Sequence, residues 1–118
     1  MHEVSVAQNI VEIVILESEK AKAEKITQVI LSIGELAGIE NEALLFAWDM
    51  VTKNSIAEGS SLVIEDIPGL AECQGCKQQF PTDDYFAVCD KCGDFKTDII
   101  KGKELQVKSF IIDDGLPG

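Results

Sequence analysis

The chain has 118 residues, of which 46% are hydrophobic and 26% charged, and its formal net charge is −11 at pH 7. This length accommodates one small core, and the composition is that of an ordinary globular protein. The acidic charge and the absence of any arginine disfavour nucleic-acid binding, because phosphate recognition uses clustered lysine and arginine.

The sequence predicts no targeting segment and no membrane segment. The start of the chain, Met1–Val4, lacks the basic segment that opens a signal peptide. No apolar run approaches the roughly 18 residues of a membrane span. We therefore expect a cytoplasmic protein with no membrane partner. Cysteines in the cytoplasm stay reduced, which favours metal binding over disulfides.

The first part of the chain predicts alternating helices and strands. Apolar residues recur at helical spacing in two segments and at alternate positions in two others. Ser5 and Asn41 are the candidate N-caps of the two helices, and Trp48 is expected in the core. The predicted elements are a helix over 5–24, a strand over 25–33, a helix over 41–54 and a strand over 60–67.

The second part of the chain predicts a small module inserted between two strands of one sheet. A third strand is predicted over 104–112, and residues 113–118 are predicted to be a flexible tail. The expected fold is α+β: a three-stranded sheet with two helices on one face, plus an inserted four-cysteine module like a zinc ribbon. The expected domains are residues 1–68 with 102–112, and the module, 69–101.

Four cysteines form two C-x-x-C pairs separated by twelve residues: Cys73 with Cys76, and Cys89 with Cys92. Each pair suits one side of a tetrahedral metal site, and the gap is long enough to bring the pairs together. Gly75 and Gly93 are expected to supply positive φ where the backbone turns around sulfur. Four thiolates close the coordination sphere, so we predict a structural zinc site rather than a catalytic one.

Other uses of the cysteines remain open at this point. Four unligated thiols, two disulfides, a redox pair, or iron in place of zinc are the alternatives. A zinc-ribbon interaction module and an iron-containing electron carrier are therefore rival functions. An enzyme is not expected, since the sequence has neither a histidine-based nucleophile pair away from position 2 nor a phosphate-binding glycine loop.

The start of the chain contains a second candidate metal site. His2 is the only histidine. Position 2 places the Met1 α-amine, the His2 amide and the His2 imidazole in chelating order, and such nitrogen donors favour square-planar Ni²⁺ or Cu²⁺. Glu3 adds a carboxylate or an amide as a further donor.

Several motifs together resemble the HypA/HybF family of hydrogenase-maturation nickel metallochaperones. The resemblance extends over residues 1–112 and keeps the order of the elements. Its parts are Met1-His2-Glu3, Ile33-Gly34-Glu35-Leu36, Glu42-Ala43-Leu44 with Phe46-Ala47, the two cysteine pairs, and Gly102-Lys103-Glu104-Leu105 with Lys108-Ser109.

The resemblance implies a nickel chaperone. Ni²⁺ would be transient cargo at His2 in the first domain, with Glu40 at the position of an acidic donor, and zinc would be structural. The implied partners are the GTPase HypB, the hydrogenase large subunit precursor and, in some bacteria, urease maturation proteins. Some relatives have histidines beside the zinc cysteines; this chain has none there, so we expect no pH switch of that kind.

Overall fold

The computed structural model describes residues 3–84 and 87–113, which contain two helices and two three-stranded sheets. The strand orders are β2-β1-β6 and β4-β3-β5. This confirms the predicted α+β class. No helix within the described ranges is long and apolar enough to cross a membrane. The elements are α1 Glu3–Lys20, β1 Lys25–Gly34, α2 Asn41–Val51, β2 Ser61–Ile67, β3 Leu70–Cys73, β4 Gln79–Pro81, β5 Thr97–Lys101 and β6 Leu105–Asp113.

The chain divides into two compact units. The first contains the described residues up to Leu31, then Ile39–Ile64, and the described residues from Val107 onward. The second contains Ser32–Gly38 and Glu65–Gln106. The boundaries fall within β1, β2 and β6, so each of these strands contributes residues to both units.

The first unit has a core built from both helices and from β1. Trp48 is 1% exposed, as predicted, and its indole N–H donates to the Ser60 hydroxyl at 3.0 Å. Every buried side-chain nitrogen or oxygen in the described part of the chain has a hydrogen-bond partner. The buried apolar residues are Val6, Ala7, Ile10, Val11 and Val14 of α1, Ile26, Val29 and Leu31 of β1, Leu44, Ala47 and Trp48 of α2, and Ala57.

Helix α1 ends at Lys20, four residues before the predicted end. The Ala23 N–H donates to the Ser18 carbonyl at 3.0 Å, and the Lys22 N–H donates to the Glu19 carbonyl at 3.1 Å. Lys22 has φ 56°, which completes a Schellman motif with lysine in the position that usually holds glycine. The helix also begins at Glu3, so Ser5 lies inside it and is not its N-cap.

The predicted N-cap of helix α2 was wrong by one residue. Glu40, with extended backbone, is the N-cap, and Asn41 is the first helical residue. The helix ends at Val51 rather than 54. Thr52 is its C-cap, the Thr52 N–H and hydroxyl both donate to the Trp48 carbonyl, and a series of turns follows.

The second unit contains a three-stranded sheet that the sequence analysis did not predict. Strand β3 pairs antiparallel with β4 on one side and with β5 on the other. Its small core brings together Ala71, Cys73, Phe80, Ala87 and Cys89, with Ile99 packed against them. Five buried residues, two of them metal-ligand candidates, form a core too small to fold alone.

Three glycines meet within the second unit. A Cβ added at Gly34 would overlap the Gly102 carbonyl, and one added at Gly102 would lie 2.7 Å from the Gly69 Cα. The Leu36 side chain covers Gly69 and Gly102, and the Leu36 N–H donates to the Gly102 carbonyl at 2.7 Å. We call Gly34, Gly69 and Gly102 the glycine junction; only residues without side chains allow the backbones to approach this closely.

Strand β6 ends at Asp113, whose carbonyl accepts a hydrogen bond from the Glu24 N–H at 2.9 Å. Residues 114–118, the rest of the predicted tail, lie outside the described part of the chain. Within β6, Leu105 and Ile111 are 36% and 51% exposed although both are apolar. Partial burial falls instead on Val107, Phe110 and Ile112.

Candidate metal centre

The four cysteines converge in the second unit, as their spacing predicted. Cys73 Sγ lies 3.6 Å from Cys92 Sγ, and Cys76 Sγ lies 3.6 Å from Cys89 Sγ. All four sulfurs lie within 4.8 Å of one another. All four are free thiols, which excludes the two-disulfide arrangement.

The two cysteine pairs sit in turns with the same hydrogen bonds, offset by sixteen residues. In the first turn, the Cys76 N–H donates to Cys73 Sγ at 3.5 Å and the Lys77 N–H to the Cys73 carbonyl at 2.9 Å. In the second turn, the Cys92 N–H donates to Cys89 Sγ at 3.5 Å and the Gly93 N–H to the Cys89 carbonyl at 3.0 Å. In each turn, therefore, the N–H of the second cysteine points at the sulfur of the first.

Positive φ occurs at the residue after the second cysteine of each pair. Gly93 has φ 76°, as predicted, and Lys77 has φ 63° at the equivalent position. The prediction for Gly75 was wrong, because Gly75 precedes its cysteine and its φ is not positive. Aligning the two turns on their cysteines places Lys77 at the position of Gly93, and this alignment would have predicted positive φ at Lys77.

Strand pairing brings the two turns together. Cys73, the last residue of β3, is opposite Thr97 at the start of β5. The Gln74 N–H donates to the Lys96 carbonyl at 2.9 Å, and the Thr97 hydroxyl donates to the Ala87 carbonyl at 2.8 Å. The first bond joins the first cysteine turn to the segment that follows the second pair. The other bond joins that segment to the one that precedes the second pair.

Within each pair, the first cysteine is buried and the second is exposed. Cys73 is 0% exposed and Cys89 2%, and both belong to the core of the unit. Two sulfurs therefore anchor the site in the core, while the other two close it from the surface.

The electrostatics of the cluster call for a cation. The backbone N–H groups of Cys92 and Lys91 lower the pKa of Cys89 to about 7. At Cys92, the Asp94 N–H acts to lower the pKa, but the Cys73 and Cys89 thiols outweigh it and raise the pKa to about 12. One thiolate is thus easily formed, and further negative charge beside it is opposed until a positive ion neutralises it.

The cluster fits a tetrahedral metal ion. Zn–S bonds of about 2.3 Å place the sulfurs of a tetrahedron about 3.8 Å apart. The two sulfur–sulfur separations of 3.6 Å are close to this value. Four sulfur donors leave no open coordination position, so the site can hold a metal but has no place for a substrate.

Two other predicted site residues, Glu3 and Glu40, belong to the first unit. Glu3 is the first residue of α1 and is partly buried, and Glu40 is exposed at the N-cap of α2. His2 and Met1 lie outside the described residues.

The fold and the four-sulfur centre define a small metal-binding protein with a closed thiolate site. A family model described as "HypA: Hydrogenase/urease nickel incorporation, metallochaperone, hypA" matches residues 1–112. The chain is 40% identical over 113 residues to the hydrogenase maturation factor HypA of Chlorobium phaeobacteroides, covering 96% of this chain and 100% of that protein. It is 39% identical to that of Geobacter sulfurreducens, with the same coverage.

Solved structures agree with this result. The solution structure of the Ni metallochaperone HypA from Helicobacter pylori matches with a TM-score of 0.69 at 26% identity, covering 96% of this chain and 98% of that chain. A second solution structure of a HypA protein matches with a TM-score of 0.73 at 27% identity, covering 97% and 98%.

The chain belongs to the HypA family of nickel metallochaperones that act in hydrogenase maturation. This confirms the family predicted from the motifs. It also confirms that the protein is not an enzyme, because the family consists of metallochaperones.

Proposed function

We propose that this protein holds Ni(II) at its N-terminus and delivers it to the large subunit precursor of a nickel-iron hydrogenase. The observation that carries the proposal is the family match, which begins at residue 1 and so includes His2 and all four cysteines. The match supports a chaperone with two kinds of site: one for cargo and one for structure.

The nickel donors we propose are the Met1 α-amine, the His2 amide and the His2 imidazole. Glu3 and Glu40 are proposed as further oxygen donors. Donors at a chain end can be displaced one at a time by the ligands of a receiving protein, so the metal can be passed on without full release. Nickel binding needs a neutral imidazole, so we expect affinity to fall as the pH drops below about 6.5.

The metal we propose at Cys73, Cys76, Cys89 and Cys92 is structural zinc. The sulfur separations and the closed coordination support this role. Iron at the same sulfurs is the alternative, and it makes a different prediction: an iron tetrathiolate absorbs visible light, whereas a zinc protein is colourless.

The partners we propose are the GTPase HypB and the hydrogenase precursor, with urease maturation proteins as a further recipient class, all in the cytoplasm. The net charge of −11 supports association with basic surfaces and argues against nucleic acid.

Equilibrium dialysis against Ni²⁺, with zinc and iron counted in parallel, tests both sites. The untagged protein should begin at Met1, and the variants are His2→Ala and, as a matched control, Gln8→Ala on the exposed face of α1. We expect one zinc in all three proteins and nickel in wild type and Gln8→Ala only. Equal nickel binding by His2→Ala would remove His2 from the mechanism. Iron in place of zinc would overturn the assignment of the four-cysteine site.

A further inference from the structure

A groove of about 510 Å³ lies within the second unit, on the side of β4. It is formed where the loop after β1, the turn before β3, and the segments 80–83 and 88–90 come together. Its volume is within the range of about 300–1,000 Å³ that is typical of ligand sites. The lining residues used below are Glu35, Phe80, Pro81, Asp83, Val88 and Asp90.

Part of the groove is apolar. Phe80 is 5% exposed and belongs to the core of the unit. Val88, in contrast, is 55% exposed although its side chain is fully apolar. Pro81 ends the edge strand β4 and has no N–H to offer a ligand. The apolar part of the groove can therefore bury an apolar side chain of a ligand, but it offers the ligand few hydrogen-bond donors.

The polar part of the groove is acidic. Glu35, Asp83 and Asp90 are exposed, and no lysine lines the groove. Within residues 3–84 and 87–113, no ion pair involves any of these three carboxylates. The Thr82 hydroxyl is already used, because it donates to the Asp84 carbonyl at 3.0 Å and accepts from the Asp84 N–H at 3.1 Å. The groove thus offers hydrogen-bond acceptors and negative charge, so a ligand that fits it must carry a cationic hydrogen-bond donor.

We propose that this groove binds a short extended segment of a partner protein in which a lysine or arginine stands next to an apolar side chain. The carboxylates would accept from the ammonium or guanidinium group, and the exposed side chains of Val88 and Pro81 would cover the apolar neighbour. Charge complementarity gives such a site its selectivity and its association rate. A metal ion would use the carboxylates but not the apolar surface, so the apolar part favours a peptide. The proposal does not depend on nickel binding at His2.

The test uses the zinc-loaded full chain and a fluorescein-labelled pentapeptide of alternating lysine and leucine, measured by fluorescence anisotropy. The groove variant combines Glu35→Gln, Asp83→Asn and Asp90→Asn. The control variant combines Glu12→Gln, Glu19→Gln and Asp49→Asn, which are exposed in the first unit and change the net charge equally. We expect the groove variant to bind about tenfold more weakly and the control variant to change by less than about twofold. Zinc content and circular dichroism check that each variant is folded.

The apolar contribution is tested separately. Val88→Ser keeps every charge, and we expect it to weaken binding about threefold; a peptide of alternating lysine and serine should bind wild type more weakly by a similar factor. Amide chemical shifts on peptide addition should change at Gly69, Phe80, Thr82 and Val88.

Several outcomes would overturn the proposal. Equal losses in the two triple variants would show a general response to net charge. Shift changes confined to other surfaces would place binding elsewhere. Displacement of the peptide by stoichiometric Ni²⁺ or Mg²⁺ would identify a cation site, and no binding at millimolar protein would exclude a peptide site.

Discussion

Lys77 and Gly93 occupy the same position in the two cysteine turns, and both have positive φ. A Cβ on Gly93 would meet no atom within 4 Å, so only its backbone conformation requires glycine. Lysine accepts the same conformation in the first turn at an energetic cost. The two turns therefore have the same backbone conformation, but the first turn, with lysine at this position, is the more strained.

We expect Gly93→Ala to lower the free energy of unfolding of the metal-loaded protein by about 1 kcal/mol, because a Cβ disfavours positive φ. Lys77→Ala is the matched control; it should change stability little, since position 77 already bears a Cβ. Urea unfolding measures both. A neutral Gly93→Ala would contradict the strain argument.

The buried Ser60 hydroxyl accepts a hydrogen bond from the Trp48 indole N–H. Ser60→Ala would leave that donor buried without a partner, and we expect a loss of about 1–2 kcal/mol of stability. The neighbouring exposed Ser61 supplies the control, since Ser61→Ala should be within about 0.5 kcal/mol of wild type. The single tryptophan makes fluorescence a direct probe of this unfolding.

At the scale of elements, the close approach of three backbone segments explains the glycines at the end of β1, before β3 and before β6. Leu36 covers two of the glycines, and backbone hydrogen bonds join the crossing segments. Gly69 and Gly102 are thus packed within the second unit rather than free to rotate.

Gly34→Ala should destabilise the protein by about 3 kcal/mol or more, because its Cβ would overlap the backbone of Gly102 and backbone atoms cannot easily move aside. Gly59→Ala is the comparison: its φ is 79° but its surroundings are open, so we expect a loss of only about 1 kcal/mol. Similar losses in the two variants, measured by thermal unfolding, would mean that the junction relaxes.

At the scale of the whole molecule, the two units have different sources of stability. The first has an extensive apolar core, whereas the second has a small core that includes Cys73 and Cys89. Metal binding should therefore supply much of the folding free energy of the second unit.

Removal of the metal by a strong chelator should increase amide hydrogen exchange across residues 70–101 while α1 and α2 stay protected. Without the metal, the second unit buries too little apolar surface to resist local unfolding. Adding back one equivalent of zinc should restore protection. Equal loss of protection in the helices would show that the first unit also depends on the metal.

The same thiols predict how zinc binding depends on pH. The Asp94 backbone acts to lower the pKa of Cys92, but neighbouring thiols raise it to about 12. The Gln78 backbone acts to lower the pKa of Cys76, but partial desolvation and the neighbouring thiols raise it. These groups are protonated at neutral pH without metal and must lose protons to bind it. Affinity should thus rise with pH, about tenfold per pH unit for each proton released, in competition with a chromophoric chelator. A flat profile between pH 5 and 7 would contradict the protonation of these thiols in the metal-free protein.

The sequence by itself determined the metal centre, the order of most elements and the family. C-x-x-C spacing is local chemistry, since two sulfurs three residues apart can share a metal whatever surrounds them. Helical and alternating periodicity are local as well, which is why β1 was predicted to within one residue.

The end of α1 and the N-cap of α2 depend on local backbone conformations that the sequence pattern did not reveal, at Lys22 and Glu40. Only the tertiary structure decided how the second unit folds. The strands β3, β4 and β5 are short and weakly patterned, and they form through pairing between distant segments, such as Cys73 with Thr97. The glycine junction and the acidic groove likewise join residues from 34 to 102 along the chain. Such contacts depend on which backbones approach one another in space, and no local pattern in the sequence specifies that approach.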